Sequence, residues 1–309
     1  MKQYHDALRT VLEQGTERSD RTGVGTISLF GMQQRYNLAE GFPAITTKKL
    51  AWRAVVSELL WFIEGSGDEG RLREILYGSR EVYTDHGICK PTIWTANATA
   101  AYWQPRAKYP GDLGRVYGVQ WRHWRTSIEQ KGGSFTNDFG HTYSTKGGVT
   151  VTEVDQLKLL IEGIKADPYG RRHILTAWNP GELDLMALPP CHCFAQFYVA
   201  DGQLSCQMYQ RSCDMFLGVP FNIASYSLLT HMIAHVCGLE VGEFVHVLGD
   251  AHVYLNHVEQ VNEQLAREPL PAPTLWLNPD ITDITKFTMD DIRLNDYQSL
   301  SSISAPMAV

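Results

Sequence analysis

Cys193-Phe-Ala-Gln-Phe-Tyr-Val199 and Leu204-Ser-Cys-Gln-Met-Tyr209 read as two strands, and the Asp201-Gly202 pair between them is a hairpin signal. Upstream, residues 173–178 read as another strand. Downstream, residues 224–236 form a long apolar helical stretch and 245–248 a further strand. Toward the N-terminus, Tyr4, Leu8, Val11 and Leu12 are spaced for one face of a helix over 2–14. Residues 20–25 are turn chemistry leading into a strand at 26–30, and 51–64 is a strongly apolar helix. Helical spacing returns at 154–164 and stops at the Asp167-Pro168 turn. Strands and helices alternate without a regular βαβ rhythm, which predicts a single α+β domain over residues 1–309. Residues 66–92, mixed and charged, are expected as an elaboration of that domain. So are residues 125–150, which are rich in Gly, Ser and Thr and expected to form a surface loop.

The net charge of −7 gives no basis for bulk binding of nucleic acid or acidic membrane, so any anion site has to come from a few placed arginines. The first residues lack an apolar leader, and no run of apolar residues is long enough to span a bilayer; a cytoplasmic location is the expectation. Six cysteines suit a reducing compartment. Cys191-His192-Cys193 lacks the C-x2-C spacing of a zinc knuckle and has no second pair, so no metal is expected.

Five constellations carry possible chemistry. Cys191 follows Pro189-Pro190, which biases the chain toward an extended approach. A lone cysteine is commonly a buried small hydrophobe, and His192 beside it points to the opposite face of a strand. Arg211, in Tyr209-Gln-Arg-Ser-Cys-Asp214, can both lower the thiol pKa and hold a phosphate. Arg21 and the Arg171-Arg172 pair are further phosphate candidates, although an arginine pair after a turn is often plain surface charge. His252 and Tyr254, two apart, share one face if their segment is extended. Asn222 is expected at a loop-to-helix junction, either as a cap or as an amide whose donor and acceptor can read a pyrimidine edge. Glu58 lies among Val55, Leu59 and Phe62 without an obvious polar face, so its carboxylate is paired or functional.

Taken together the motifs resemble the thymidylate synthase family across nearly the whole chain. The carrying stretches are Ser19-Asp-Arg-Thr-Gly-Val-Gly25, Gly41-Phe-Pro-Ala-Ile-Thr-Thr-Lys48 and Glu58-Leu-Leu-Trp-Phe62. They continue with Gly111-Asp-Leu-Gly-Arg-Val-Tyr-Gly-Val-Gln-Trp-Arg122, residues 171–180, Met186-Ala-Leu-Pro-Pro-Cys-His192, residues 209–226 and 249–257, and Pro306-Met-Ala-Val309. The resemblance implies a mixed twisted sheet covered by helices and a homodimer formed through the sheet. It implies that Cys191 attacks C6 of dUMP so that C5 can accept one carbon from 5,10-methylenetetrahydrofolate, giving dTMP and dihydrofolate. Arg21, Arg211 and Ser212 would hold the phosphate, with Arg171 and Arg172 arriving from the other subunit. His252 and Tyr254 would bind the ribose, and Asn222, with Gln210 and Gly218 nearby, the pyrimidine. Glu58, His192, Tyr117 and Asp214 would order water and protons. Lys48, Ile93, Trp94, Asp214, Leu217, Phe221 and Ala308 would line the folate.

Two features depart from the family pattern. Thr95 stands where an acidic residue normally follows the tryptophan, and the usual His-Pro is missing before the C-terminal segment. Both lie on the folate side. They raise a rival, a dUMP 5-hydroxymethylase in which water, held by the Thr95 hydroxyl, replaces hydride and gives 5-hydroxymethyl-dUMP and tetrahydrofolate. Asn222 argues for uracil, since cytosine-specific relatives carry Asp at that place. A role in binding RNA finds little support in a chain without a basic stripe.

Overall fold

The computed structural model describes residues 1–20, 22–84, 87, 89–130, 132–145 and 148–307. Its helices are α1 (Lys2–Gln14), α2 (Trp52–Glu64), α3 (Glu69–Tyr77), α4 (Thr95–Ala98) and α5 (Gly118–Arg122), followed by α6 (Gln156–Ala166), α7 (Gly218–Cys237) and α8 (Val258–Leu265). The strands begin with β1 (Thr16–Arg18), β2 (Thr26–Asn37), β3 (Trp124–Gln130), β4 (Gly133–Thr136), β5 (Thr142–Thr145) and β6 (Gly148–Val154). They continue with β7 (Ile174–Thr176), β8 (His192–Ala200), β9 (Gln203–Asp214), β10 (Glu240–Tyr254), β11 (Thr274–Leu277) and β12 (Ile292–Asn295).

One six-stranded sheet, ordered β1-β2-β10-β9-β8-β7, organises the molecule. Only β9 and β10 pair in parallel; the other pairs are antiparallel, so the sheet is mixed as expected. The β8–β9 hairpin turns at Asp201 and Gly202, whose φ values of 50° and 75° are both left-handed, as a two-residue primed turn requires. Along β8, Cys193, Ala195, Phe197 and Val199 are buried while Phe194 and Tyr198 face outward, the period-two signature of a sheet with one covered face.

Helix α7 packs on β9 and β10. It is apolar on every side, which is the pattern of a helix enclosed by protein rather than of a surface one, and it stops at Gly238 in the left-handed region. α1 lies on β2, and α2 packs against α5 and α7. Burying side chains such as Trp61, Phe62, Phe197 and Phe244 from these layers forms the core, each contributing about 2–3 kcal/mol through removal from water.

Three expectations need correction. Residues 125–150 are not an irregular loop: β3 pairs antiparallel with β6, and β4 with β5. The β-branched residues of this stretch form ribbons whose outward positions, such as Val149 and Val151, stay exposed. The strands expected at 26–30 and 245–248 extend to β2 and β10, because β10 is hydrogen-bonded on both sides and that pairing carries it through Gly242 and Gly249. The helix expected at 224–236 begins at Gly218, so Asn222 sits a full turn inside α7 rather than at its cap. Pro220 is compatible with this start because the N–H groups of a first turn have no partner within the helix.

Candidate active site

The site forms where the end of β9, the start of β8 and the N-terminus of α7 meet. Cys191 is partly buried one residue ahead of β8. Its N–H donates to the Tyr117 hydroxyl at 2.7 Å and its carbonyl accepts from the Arg211 N–H at 2.8 Å. The Arg211 guanidinium turns back onto the same strap, with Nε donating to the Pro190 carbonyl at 2.8 Å and a terminal nitrogen to that of Pro189 at 3.0 Å. It also lies over the Trp178 ring, 5.3 Å from its centroid. The expectation that Arg211 lowers the thiol pKa is half met. Burial pushes the Cys191 thiol up, Arg211 and hydrogen bonds from Tyr117 and Ser212 pull it down, and the net direction is upward.

Tyr117 has φ 23°, a backbone position that side-chain-bearing residues rarely adopt, and it precedes the short helix α5. Gly118 lets this turn lie directly on α2: a Cβ there would come within 2.3 Å of the Phe62 carbonyl oxygen. The Tyr117 ring stacks on His192 at 4.1 Å, and His192 Nδ1 is hydrogen-bonded to the Tyr226 hydroxyl at 2.8 Å. Burial, with a smaller contribution from His246, lowers the His192 pKa to about 3, so this imidazole is neutral.

Glu58 projects from α2 and accepts the Trp94 indole N–H at 2.7 Å. Burial raises its pKa to about 7, the indole hydrogen bond offsetting only part of that. Trp94 is buried, packed 5.7 Å from both Trp61 and Tyr117. Tyr117 therefore touches both the Cys191 strap and the Glu58–Trp94 pair.

The parallel register of β9 and β10 sets Ser212 beside Asp250 and Asp214 beside His252. The Asp214 carboxylate accepts the N–H groups of Phe216 and Leu217, each at 3.0 Å, and so shapes the entry to α7. The His252 and Tyr254 rings sit edge to face at 5.2 Å on one strand, in line with their spacing. Gln210 is buried, bonded to His246 Nε2 at 2.9 Å and donating to the Ser212 carbonyl at 2.9 Å. Gly218 is close to both Asp214 and Asn222: a Cβ on it would lie 3.7 Å from the Asp214 Cβ and 3.8 Å from the Asn222 Oδ1.

Other expected residues are placed differently. Arg171 and Arg172 are exposed on the turn before edge strand β7; among the described residues neither hydrogen-bonds or ion-pairs with Cys191, Arg211 or Ser212. Arg21 and Ala308 lie outside the described residues. The Asp20 carboxylate next to Arg21 fixes the loop by accepting the N–H groups of Thr22 and Gly25. Lys48 points inward, donating to the Phe216 carbonyl with its ammonium 3.4 Å from that ring's centroid, and burial lowers its pKa to about 7. Ile93 is exposed, whereas Leu217 and Phe221 are half-buried around the start of α7.

Sequence reasoning assigned no role to Tyr226, Trp178, His257 or Glu69. Tyr226 could have been suspected as a hydroxyl inside an apolar helix. His257 donates from Nε2 to the Pro306 carbonyl at 2.7 Å, and Leu300 N–H donates to the Thr46 carbonyl at 2.8 Å, so the C-terminal stretch is held along the site's edge. Nothing in the local sequence marks that pairing. The Thr95 hydroxyl, to which the rival reading gives a water, donates to Glu69. A family model described as thymidylate synthase matches residues 2–309.

Proposed function

The chain belongs to the thymidylate synthase family, and from that premise we propose that it makes dTMP and dihydrofolate from dUMP and 5,10-methylenetetrahydrofolate through a Cys191–C6 adduct. Membership makes it an enzyme of one-carbon transfer to C5 of dUMP with a folate co-substrate. The finer reading is carried by one observation: Cys191 is clamped through its own main chain, between the Tyr117 hydroxyl and the Arg211 N–H. A nucleophile held this way has its Cα–Cβ bond fixed by folding, so that only rotation about that bond is left to bring the sulfur onto C6.

The remaining groups divide the work. Arg211 and Ser212, with Arg21, bind the phosphate, and the guanidinium favours the thiolate as sulfur attacks C6. Negative charge then develops on the O4 side of the ring. Glu58, with a pKa of about 7, holds or releases a proton there at neutral pH. Neutral His192 and Tyr117 orient the surrounding hydrogen bonds, and Asn222 reads the uracil edge while His252 and Tyr254 take the ribose hydroxyl. The folate, lying against Trp94, Ile93, Leu217, Phe221 and Asp214, supplies the methylene and the hydride. Lys48 supports that wall from behind through Phe216.

Two chains paired across the open sheet face would bring Arg171 and Arg172 to each other's phosphate. The exposed aromatic surface supports this pairing: Phe30 is 80% and Tyr198 65% accessible on a face that water would otherwise cover. On this reading 1–309 is one catalytic domain, elaborated at 66–92 and 125–150, and it works in the cytoplasm. Among the described residues no helix is long and apolar enough to cross a membrane.

Incubation with dUMP and 5,10-methylenetetrahydrofolate tests the reading through both products. Dihydrofolate and dTMP are expected. Tetrahydrofolate with a nucleotide one oxygen heavier would overturn the synthase in favour of the hydroxymethylase.

A further inference from the structure

We propose that Glu69 is a positioning residue for the Glu58–Trp94 pair, acting through the hydroxyls of Thr92 and Thr95 to hold the indole against Glu58. The inference rests on the reading of Glu58 as the proton-handling group. Glu69 stands in the first turn of α3 and is only 2% exposed. One of its carboxylate oxygens accepts from both threonine hydroxyls, Thr92 at 2.9 Å and Thr95, and the other accepts from Arg73.

Each hydroxyl is in turn an acceptor for the main chain. Thr92 Oγ1 takes the Trp94 N–H at 3.1 Å, and Thr95 Oγ1 takes the Thr92 N–H at 2.8 Å. The bend that presents Trp94 is therefore tied at two points to one buried carboxylate, while the Glu69 N–H itself donates to the Gly111 carbonyl at 2.9 Å. Burial pushes the Glu69 carboxyl up, but Arg73, Thr95 and Thr92 outweigh it and the net direction is downward, so the acceptor is ionised. A charged acceptor makes the strongest hydrogen bonds of the network. The Thr95 donor is thereby committed to Glu69 and is not available to a water beside Trp94.

The indole hydrogen bond favours the ionised form of Glu58. Loosening the bend weakens that bond and raises the Glu58 pKa. The test is the pH dependence of kcat for the wild type, Glu58→Gln, Thr95→Val, Thr95→Ser and Glu69→Gln. The inflection that Glu58→Gln removes is expected to move up by about half a pH unit in Thr95→Val and Glu69→Gln, and to return in Thr95→Ser. KM for dUMP is expected to stay within about twofold, because the nucleotide side is untouched. Should Thr95→Val fail to fold, Thr92→Val removes the other hydroxyl and takes the same reading. An inflection that vanishes in Glu58→Gln but stays in place in the folded threonine variants overturns the positioning role alone. An inflection that survives Glu58→Gln overturns the functional reading of Glu58, and the proposal with it.

Discussion

Cys191 and Glu58 are both partly buried and both touch the Tyr117 neighbourhood, yet they are held by different kinds of bond. The cysteine is fixed by its own amide and carbonyl, on a strap that leads into β8 and is gripped by Arg211. The glutamate's main chain belongs to α2, but its carboxylate is placed by an indole whose position depends on a buried carboxylate and two hydroxyls. Main-chain hydrogen bonds survive most side-chain exchanges, whereas a side-chain network loses geometry when any single member changes. The nucleophile thus keeps one anchor that no side-chain exchange removes, the Arg211 N–H on its carbonyl, and depends on the Tyr117 and Arg211 side chains for the rest. The proton-handling carboxylate is placed by side chains throughout.

Removing the sulfur is the most direct way to break this comparison. Cys191→Ala is expected to lower kcat by about 10⁴-fold or more, with dUMP binding retained in equilibrium dialysis. Loss of nucleotide binding would show that the strap, not the thiol, is what the residue secures.

Glu58→Gln comes next, with an expected fall of about 10²-fold in kcat. It also has a stability signature. The folded pKa of about 7 lies above the ordinary 4.5, so the fold keeps a proton that the unfolded chain has already released. That contribution is complete below about pH 4.5 and is lost as pH rises through about 7. Relative to wild type, Glu58→Gln should therefore gain stability between those two values, by at most on the order of 3 kcal/mol, and level off above them. Urea unfolding at pH 5 and pH 8 reads the difference; a gap between the two proteins that does not widen with pH would mean the carboxyl is not strained by burial.

Tyr117→Phe sharpens the contrast from the shared side, with the smallest expected effect. It takes away the acceptor of the Cys191 N–H and leaves the ring stacked on His192. About a tenfold loss in kcat is expected, together with a higher thiol pKa in the pH dependence of alkylation, since the tyrosine hydrogen bond now lowers it. An unchanged alkylation profile would leave Arg211 and Ser212 as the groups steering the sulfur.

Legibility in the sequence followed the range of the interaction. The β8–β9 hairpin, α1, α2 and the apolar run of α7 were readable because their signals are local: turn residues and side-chain periodicity. The lengths of β2 and β10 were not, because neighbours on both sides hold them across glycines that read as breakers. The ribbons of 125–150 were missed for a related reason: they satisfy their main chain through cross-strand pairing, with valines such as Val149 and Val151 left exposed, so composition resembled that of a loop.

For the site, the residue types and order were enough to place Cys191, Arg211, Asn222, His252 and Tyr254 as candidates and to identify the family. Tertiary structure alone decided what each residue touches. It turned Arg211 onto the Pro189–Pro190 carbonyls, neutralised His192 by burial, and joined Glu58 to Trp94 across 36 positions. It also committed Thr95 to Glu69 across 26. Local sequence sets propensity and chemistry, but pKa and hydrogen-bond partnership depend on which distant groups exclude water from one another, and only the folded chain specifies that.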